Sequence, residues 1–308
     1  MVKSQPNELP AEAPLLQRLV QKVRNFFPRG WAPLLMTLAR IVPQLQCYPA
    51  RMLDGTTLHL DLRESMCFSY FFYGELPHER ATRRILTLFL DTGGCFVDVG
   101  ANVGYFTLLA SRLVGASGSV RAFEPSPQAL PSLYRNVRDL KNVKVQSIAL
   151  GSKHGQVDFY ARSSGDTSSL EPEADAQVIC VEMNTLDDEL RAVHRVDLIK
   201  IDVEGFEIDV LRGAREALHR LRCPVYFEVI PDYLNRRNID LSEFHAFLRE
   251  VDYVARWVNL DALGETDLFL GGPSTYVLAL PAGAEHLQAL GLADTDLSAS
   301  EKLMHDSA

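Results

Sequence analysis

The sequence predicts an α/β fold: a mostly parallel sheet with helices on both faces. Three observations carry that prediction. From Cys95 onward, short apolar strands alternate with amphipathic helices. The first of these strands runs directly into a glycine turn, Gly100-Ala-Asn-Val-Gly104, and then into a helix. Further on, "LIKIDVEGFE" (198–207) reads as a buried strand interrupted by charge at Lys200, Asp202 and Glu204. Strand side chains alternate faces, so these three groups begin on one side, where burial without partners is costly.

In chain order, residues 1–12 read as a disordered polar tail. "LLQRLVQKVRNFF" (15–27) repeats apolar residues at helical spacing with bases between them, and a second helix is expected after Pro33 and before Pro43. "ARMLDGTTLHLDL" (50–62) reads as a hairpin turning at Asp54-Gly55, and residues 78–91 as a helix leading into the main domain. The aromatic run "CFSYFFYGE" (67–75) fits a core segment or the wall of an apolar pocket. Strands are expected near 95–100, 119–124, 143–149, 196–202, 224–230, 252–258 and 275–280. Helices are expected near 103–114, 127–139, 206–221 and 240–250. Residues 155–161 and 176–183 suggest an inserted β-hairpin around the polar loop 162–176, which could fold over a ligand. Residues 282–308 read as a C-terminal tail. The chain thus divides into 1–49, 50–94, a main domain at 95–281, and the tail.

Composition narrows the function classes. The net charge of −9 argues against nucleic acid as a general partner. Its distribution is uneven: no acid lies between Glu12 and Asp54, where there are six bases, and residues 54–308 carry −14. The basic helices at 13–41 could meet a membrane surface, pack on the acidic body, or pair in a homodimer. Five widely spaced cysteines without a C-x-x-C pair suggest neither zinc nor a disulfide framework, but buried thiols in a reducing compartment. With no secretory leader and no run of ~20 apolar residues read, a cytoplasmic location is expected.

The glycine turn brings the ligand chemistry. A helix N-terminus behind it favours a carboxylate or phosphate, and Glu124, twenty residues after Gly104, is placed to accept bonds from ribose hydroxyls. Asn102 stands where a G-x-G-x-x-G turn has its second glycine, which counts against a pyrophosphate cofactor such as NAD. A nucleoside without a pyrophosphate fits better, and S-adenosylmethionine is the obvious one. Asp98 could instead only order the loop.

These segments resemble the FkbM-type methyltransferases, which are S-adenosylmethionine-dependent O-methyltransferases. The likeness runs through "FVDVGANVGYFTLLA" (96–110), "VRAFEPSPQALPSLYRNV" (120–137), "NVKVQSIALGSKHGQVDFY" (142–160), "NTLDDEL" (184–190), "VDLIKIDVEGFEIDVLRGA" (196–214) and "VYFEVIP" (225–231). The resemblance implies a class I, Rossmann-like methyltransferase fold with seven strands, the last (275–280) antiparallel. It implies that Asp98, Gly100, Asn102 and Gly104 surround the methionine end of the cofactor, that Glu124 holds the ribose, and that Ser147, Ala149 and Leu150 line the adenine. Family members act on hydroxyls of sugars, polyketides and other secondary metabolites, so a small hydroxylated acceptor is expected without being named.

For the charged strand three roles stand open. Asp202 or Glu204 accepts the acceptor's proton with Lys200 tuning it; or Asp202 and Glu228 hold Mg²⁺; or the charges form an ion-pair network that shapes the loop. His154 and His194 are further candidate bases. The competing functions are a nucleotide-dependent oxidoreductase and a methyltransferase-fold protein without turnover.

Overall fold

A computed structural model describes residues 12–24, 31–76, 79–161, 177–258 and 275–284. The N-terminal elements come first: α1 (Leu15–Arg24), α2 (Trp31–Ala39), the hairpin β1 (Tyr48–Arg51) and β2 (Thr57–Leu60), α3 (Ser65–Tyr73) and α4 (Arg80–Phe89). The hairpin turns where the sequence indicates, with Gly55 at φ 81° and the Thr56 amide donating to Asp54 Oδ1 at 2.8 Å. One expectation shifts, and one segment gains a structure the sequence did not assign. α2 begins at Trp31, placing Pro33 inside its first turn, where a missing N–H costs nothing. The aromatic run is helical (α3) and stops at Gly74, whose left-handed backbone caps it.

The body follows as β3 (Cys95–Val99), α5 (Tyr105–Val114), β4 (Ser119–Phe123), α6 (Leu130–Val137), β5 (Val143–Gln146), β6 (Ala149–Leu150), β7 (Gly155–Ala161) and β8 (Gln177–Asn184). Then come α7 (Leu186–Glu189), β9 (Leu198–Ile201), α8 (Glu207–Arg212), α9 (Arg215–Leu221), β10 (Val225–Val229), α10 (Pro231–Arg237), α11 (Leu241–Glu250), β11 (Tyr253–Trp257) and β12 (Thr275–Pro281). Seven strands form one sheet in the order β11-β12-β10-β9-β3-β4-β5. Only β12 runs against its neighbours, so the last strand is the antiparallel one. This is the class I methyltransferase arrangement.

Every residue of β3, β9 and β10 is buried, as expected of strands covered on both faces. On one face Val97, Val99, Ile199, Ile201, Phe227 and Val229 join a core built with α8, α9 and α11. The opposite face, bearing Phe96, Leu198 and Tyr226, packs with α5 and with N-terminal residues such as Val20, Leu58, Phe71 and Ile85 in one apolar cluster. The N-terminal elements are therefore the second covering layer of the sheet.

Two further corrections concern continuity. The segment 143–149 is not one strand: β5 stays in the main sheet, while β6 turns away to pair with β8 beside the β7–β8 hairpin. The helix expected over 206–221 breaks at Gly213, where a Cβ would lie 2.0 Å from the Gly151 carbonyl oxygen. Cys67, Cys95 and Cys223 are buried, but Cys180 faces solvent, because β8 is exposed along much of one side. Loop 162–176 and the expected tails at 1–11 and 285–308 lie outside the described residues.

Candidate active site

Sheet order fixes where a ligand can sit. The chain runs β3, β4, β5 to one side and β9, β10 to the other, so a crevice opens at the carboxyl ends of β3 and β9. A cavity of about 820 Å³ lies there.

Strand register lines up the polar groups beside it. Asp98 pairs with Lys200 and Lys200 with Tyr226, so all three lie on the face covered by α5 and the N-terminal layer. Lys200 is 2% exposed. Its Nζ lies 3.0 Å from Asp202 Oδ2, 3.7 Å from Asp98 Oδ1, and 5.3 Å from the centre of the Phe106 ring. Burial disfavours its charge, but the Asp202 and Asp98 carboxylates outweigh that and raise the lysine above its ordinary value. Burial also raises Asp98, against the pull of Lys200 and of the Thr107 hydroxyl, which donates to Oδ2 at 2.6 Å. Asp98 Oδ1 accepts no hydrogen bond among the described residues.

The glycine turn is tied to the same place. Gly100 sits at φ 81°, and a Cβ there would lie 1.8 Å from the Asp202 carbonyl oxygen, so the turn after β3 rests directly on the exit from β9. Asn102 is left-handed (φ 49°), a conformation asparagine tolerates better than most residues. Its amide donates to Glu124 Oε2 at 2.7 Å, and the Ser126 amide donates to Glu124 Oε1 at 2.8 Å. Both oxygens are thereby fixed while each keeps acceptor capacity, and Glu124 borders the cavity. Burial, opposed by those two amides, pushes its carboxyl up to about 7. Gly104 caps α5 and leaves room for Leu133, whose Cδ1 would lie 2.7 Å from an added Cβ.

Other expected residues divide. Ala149 and Leu150 border the cavity together with Ile148, but Ser147 is exposed and does not, because the chain leaves the main sheet at that point. Gly100, Asn102, Asp202, Lys200 and Glu204 border it; Asp98 and Gly104 lie behind it. β9 ends at Ile201, so Glu204 comes to the cavity through a left-handed turn (φ 54°) and not by strand alternation. Burial and the neighbouring Asp202 and Glu207 carboxylates push Glu204 up to about 8. Glu207 is buried and accepts from the Val203 and Gly205 amides, holding this turn closed. Neither His154, which pairs with Asp188, nor His194 borders the cavity.

Glu228 borders it on the next strand. Burial, with Asp202, Glu204 and Glu207 nearby, pushes its carboxyl up to about 10, and it hydrogen-bonds Asp202. Among the described residues no group of three or more His, Cys, Asp or Glu is arranged to hold a metal.

Three bordering groups have no local signal in the sequence. Tyr70 donates to Glu79 Oε1; Glu79 Oε2 and the Tyr105 hydroxyl are buried without a partner among the described residues. Burial pushes Glu79 up to about 8. Only the packing of α3 and α4 over the sheet brings Tyr70 and Glu79 to Lys200.

Known proteins bear on this geometry. A family model described as the methyltransferase FkbM domain matches residues 98–255, just over half of the chain. The chain belongs to the FkbM methyltransferase family. Among curated relatives, the 2-O-methyltransferase NoeI of Sinorhizobium fredii (strain NBRC 101917 / NGR234) is 25% identical over 195 residues, spanning 57% of this chain and 79% of NoeI. Methyltransferase 1 of Beauveria bassiana (strain ARSEF 2860) is 30% identical over 142 residues, 38% of this chain and 57% of that protein. The hexuronic acid methyltransferase AglP of Haloferax volcanii is 27% identical over 147 residues, 47% of this chain and 59% of AglP. The match thus spans less than two thirds of two of these three relatives. A solved FkbM methyltransferase from Methylobacillus flagellatus KT superposes with a TM-score of 0.43 at 16% identity, covering 68% of this chain and 52% of that one. The family's matched region begins at Asp98, so the Tyr70–Glu79 wall of the cavity lies outside it.

Proposed function

We propose that this chain is an S-adenosylmethionine-dependent O-methyltransferase that modifies a hydroxyl of a small molecule. The observation carrying this reading is that Glu124 and the Lys200–Asp202 pair border one cavity at the carboxyl edge of the sheet. Family membership supports it; the name of NoeI gives an oxygen as methyl acceptor and that of AglP a hexuronic acid, and together they favour a sugar-like acceptor.

The residues present suit a nucleoside. Glu124 offers two amide-anchored oxygens to ribose hydroxyls, the Asn102 turn borders the space without a pyrophosphate glycine, and Ile148, Ala149 and Leu150 give an apolar wall for a base. When bound, the cofactor supplies an electrophilic methyl group on a cationic sulfonium. The chain must then hold a hydroxyl in line with that methyl and remove its proton.

Asp202 is the carboxylate placed to take the proton. Lys200 Nζ, itself immobilised between Asp98 and Asp202, fixes its orientation. Glu228, whose carboxyl burial and the neighbouring Asp202 raise, borders the cavity with it. The fixed Lys200 ammonium beside Asp202 repels a divalent cation, which favours the base over the Mg²⁺ assignment. The acceptor end is walled by Tyr70 and Glu79 from the N-terminal layer, so acceptor choice resides in a segment outside the family's matched region.

Calorimetry with S-adenosylhomocysteine and with NADH tests the cofactor class. Binding of the thioether with one site and none of NADH is expected. Tight NADH binding without the thioether would sink the proposal.

A further inference from the structure

The described residues hold nine exposed large hydrophobic side chains, and five of them, Leu15, Leu19, Leu34, Leu38 and Ile41, belong to the first two helices and the turn after α2. Leu15 and Leu19 are one turn apart on α1, and Leu34, Leu38 and Ile41 follow helical spacing along α2. The opposite sides of the same helices are buried through Gln17 and Val20, and through Leu35 and Ala39. Gln17 pins α1 down by donating to the Arg51 and Phe71 carbonyls at 3.0 Å each. Both helices rest on α3, so their exposed stripes form the outer side of one layer. Arg18, Lys22 and Arg40 are exposed between the leucines, and no acid interrupts the stretch from Ala13 to Leu53.

We infer that this outer face seats the chain on an anionic lipid surface, with the leucines entering the interface and the bases meeting headgroups. Charge decides against a second copy. A twofold contact lays one patch on an identical patch, so a face that bears Lys22 and Arg40 and no acid would meet only another basic face. An anionic bilayer satisfies apolar stripe and bases together. With 10 and 9 residues, α1 and α2 are far too short to cross a bilayer, so the contact is interfacial. α3 supports both helices and also lends Met66, Cys67 and Tyr70 to the cavity, which links the docked face to the cavity wall.

Vesicle flotation of the full chain tests this. One set of vesicles is phosphatidylcholine alone, and the other is phosphatidylcholine mixed with phosphatidylserine. Flotation with the second and not the first, reversed by high salt, is expected. Leu15→Ser/Leu19→Ser/Leu34→Ser and Lys22→Glu/Arg40→Glu should each cut the bound fraction at least ~tenfold, with melting temperature unchanged because every altered side chain is exposed. No flotation with phosphatidylserine, or flotation that both variants retain, would overturn the inference. So would a dimer in sedimentation velocity that the leucine variant abolishes, which would assign the face to a second copy.

Discussion

Lys200 Nζ stands 3.0 Å from Asp202 Oδ2 and 3.7 Å from Asp98 Oδ1, a buried cation shared by two carboxylates on adjacent strand ends. Removing it leaves Asp98, with no solvent exposure, without a countercharge among the described residues and with only the Thr107 hydroxyl as a hydrogen-bond donor. Lys200→Met is therefore expected to destabilise the fold by about 3–5 kcal/mol, measured by urea denaturation. A loss below about 1 kcal/mol would mean the network contributes little to folding.

Stability without ligand should fall as pH rises. Glu79, Glu124, Glu204, Glu207 and Glu228 all sit above the ordinary glutamate value of 4.5, chiefly through burial, at about 8, 7, 8, 7 and 10. Their contribution is present in full below pH 4.5 and is lost as pH climbs through 7 to 10, since folding must then keep protons that the unfolded chain releases. Glu228→Gln mimics the protonated form at every pH. It should shrink the drop in melting temperature between neutral and alkaline pH; an unaltered drop would refute the protonated state of Glu228.

Two glycines with the same φ of 81° should differ sharply in how much an alanine costs. At Gly55 an added Cβ meets nothing within 4 Å, and only the left-handed backbone is strained, costing about 1–2 kcal/mol. At Gly100 it meets backbone at 1.8 Å, so the β3 turn must part from the Asp202 loop. Gly100→Ala should either fail to fold or lose S-adenosylhomocysteine binding, while Gly55→Ala keeps it. Equal tolerance at both would show that the two loops do not pack as described.

Asp202→Asn should separate binding from turnover. The amide keeps the size of the side chain and loses its basicity, so S-adenosylhomocysteine affinity should change little. Methyl transfer to an accepted hydroxyl, followed by isotope transfer from labelled cofactor, should fall by about 10²–10⁴-fold. Undiminished transfer would remove Asp202 from both the base and the metal assignments.

The seven main strands were readable within a few residues, because continuous apolar runs such as "CFVDV" and "VYFEV" have no stable place except a sheet covered on both sides. The antiparallel last strand came from the family likeness alone. What escaped the sequence was mostly non-local. The aromatic run of α3 shows no polar face because it packs on α1, α2 and the hairpin at once, so no helical period marks it. The break at Gly213 depends on a distant backbone, that of Gly151. Lys200, Asp202 and Glu204 stood out as misplaced charges. Glu79 and Tyr70 did not, since nothing in their own neighbourhood shows that α3 and α4 fold over Lys200. Of the stretch Ser147 to Leu150 only Ser147 stays off the cavity, for a related reason: where β5 leaves the sheet is set by the pairing of β6 with β8.

Glu124 offers the most direct measurement of the central claim, because its two oxygens are fixed by the amides of Asn102 and Ser126 at the cavity edge. Wild type and Glu124→Ala are titrated with S-adenosylhomocysteine in a calorimeter, with the variant's fold checked by its near-ultraviolet circular dichroism. One-site binding by wild type, weakened about 10–100-fold in a folded variant, is the expected result; losing one or two charge-assisted hydrogen bonds corresponds to that range. Equal affinity in the two proteins would contradict a cofactor site at the carboxyl ends of β3 and β4.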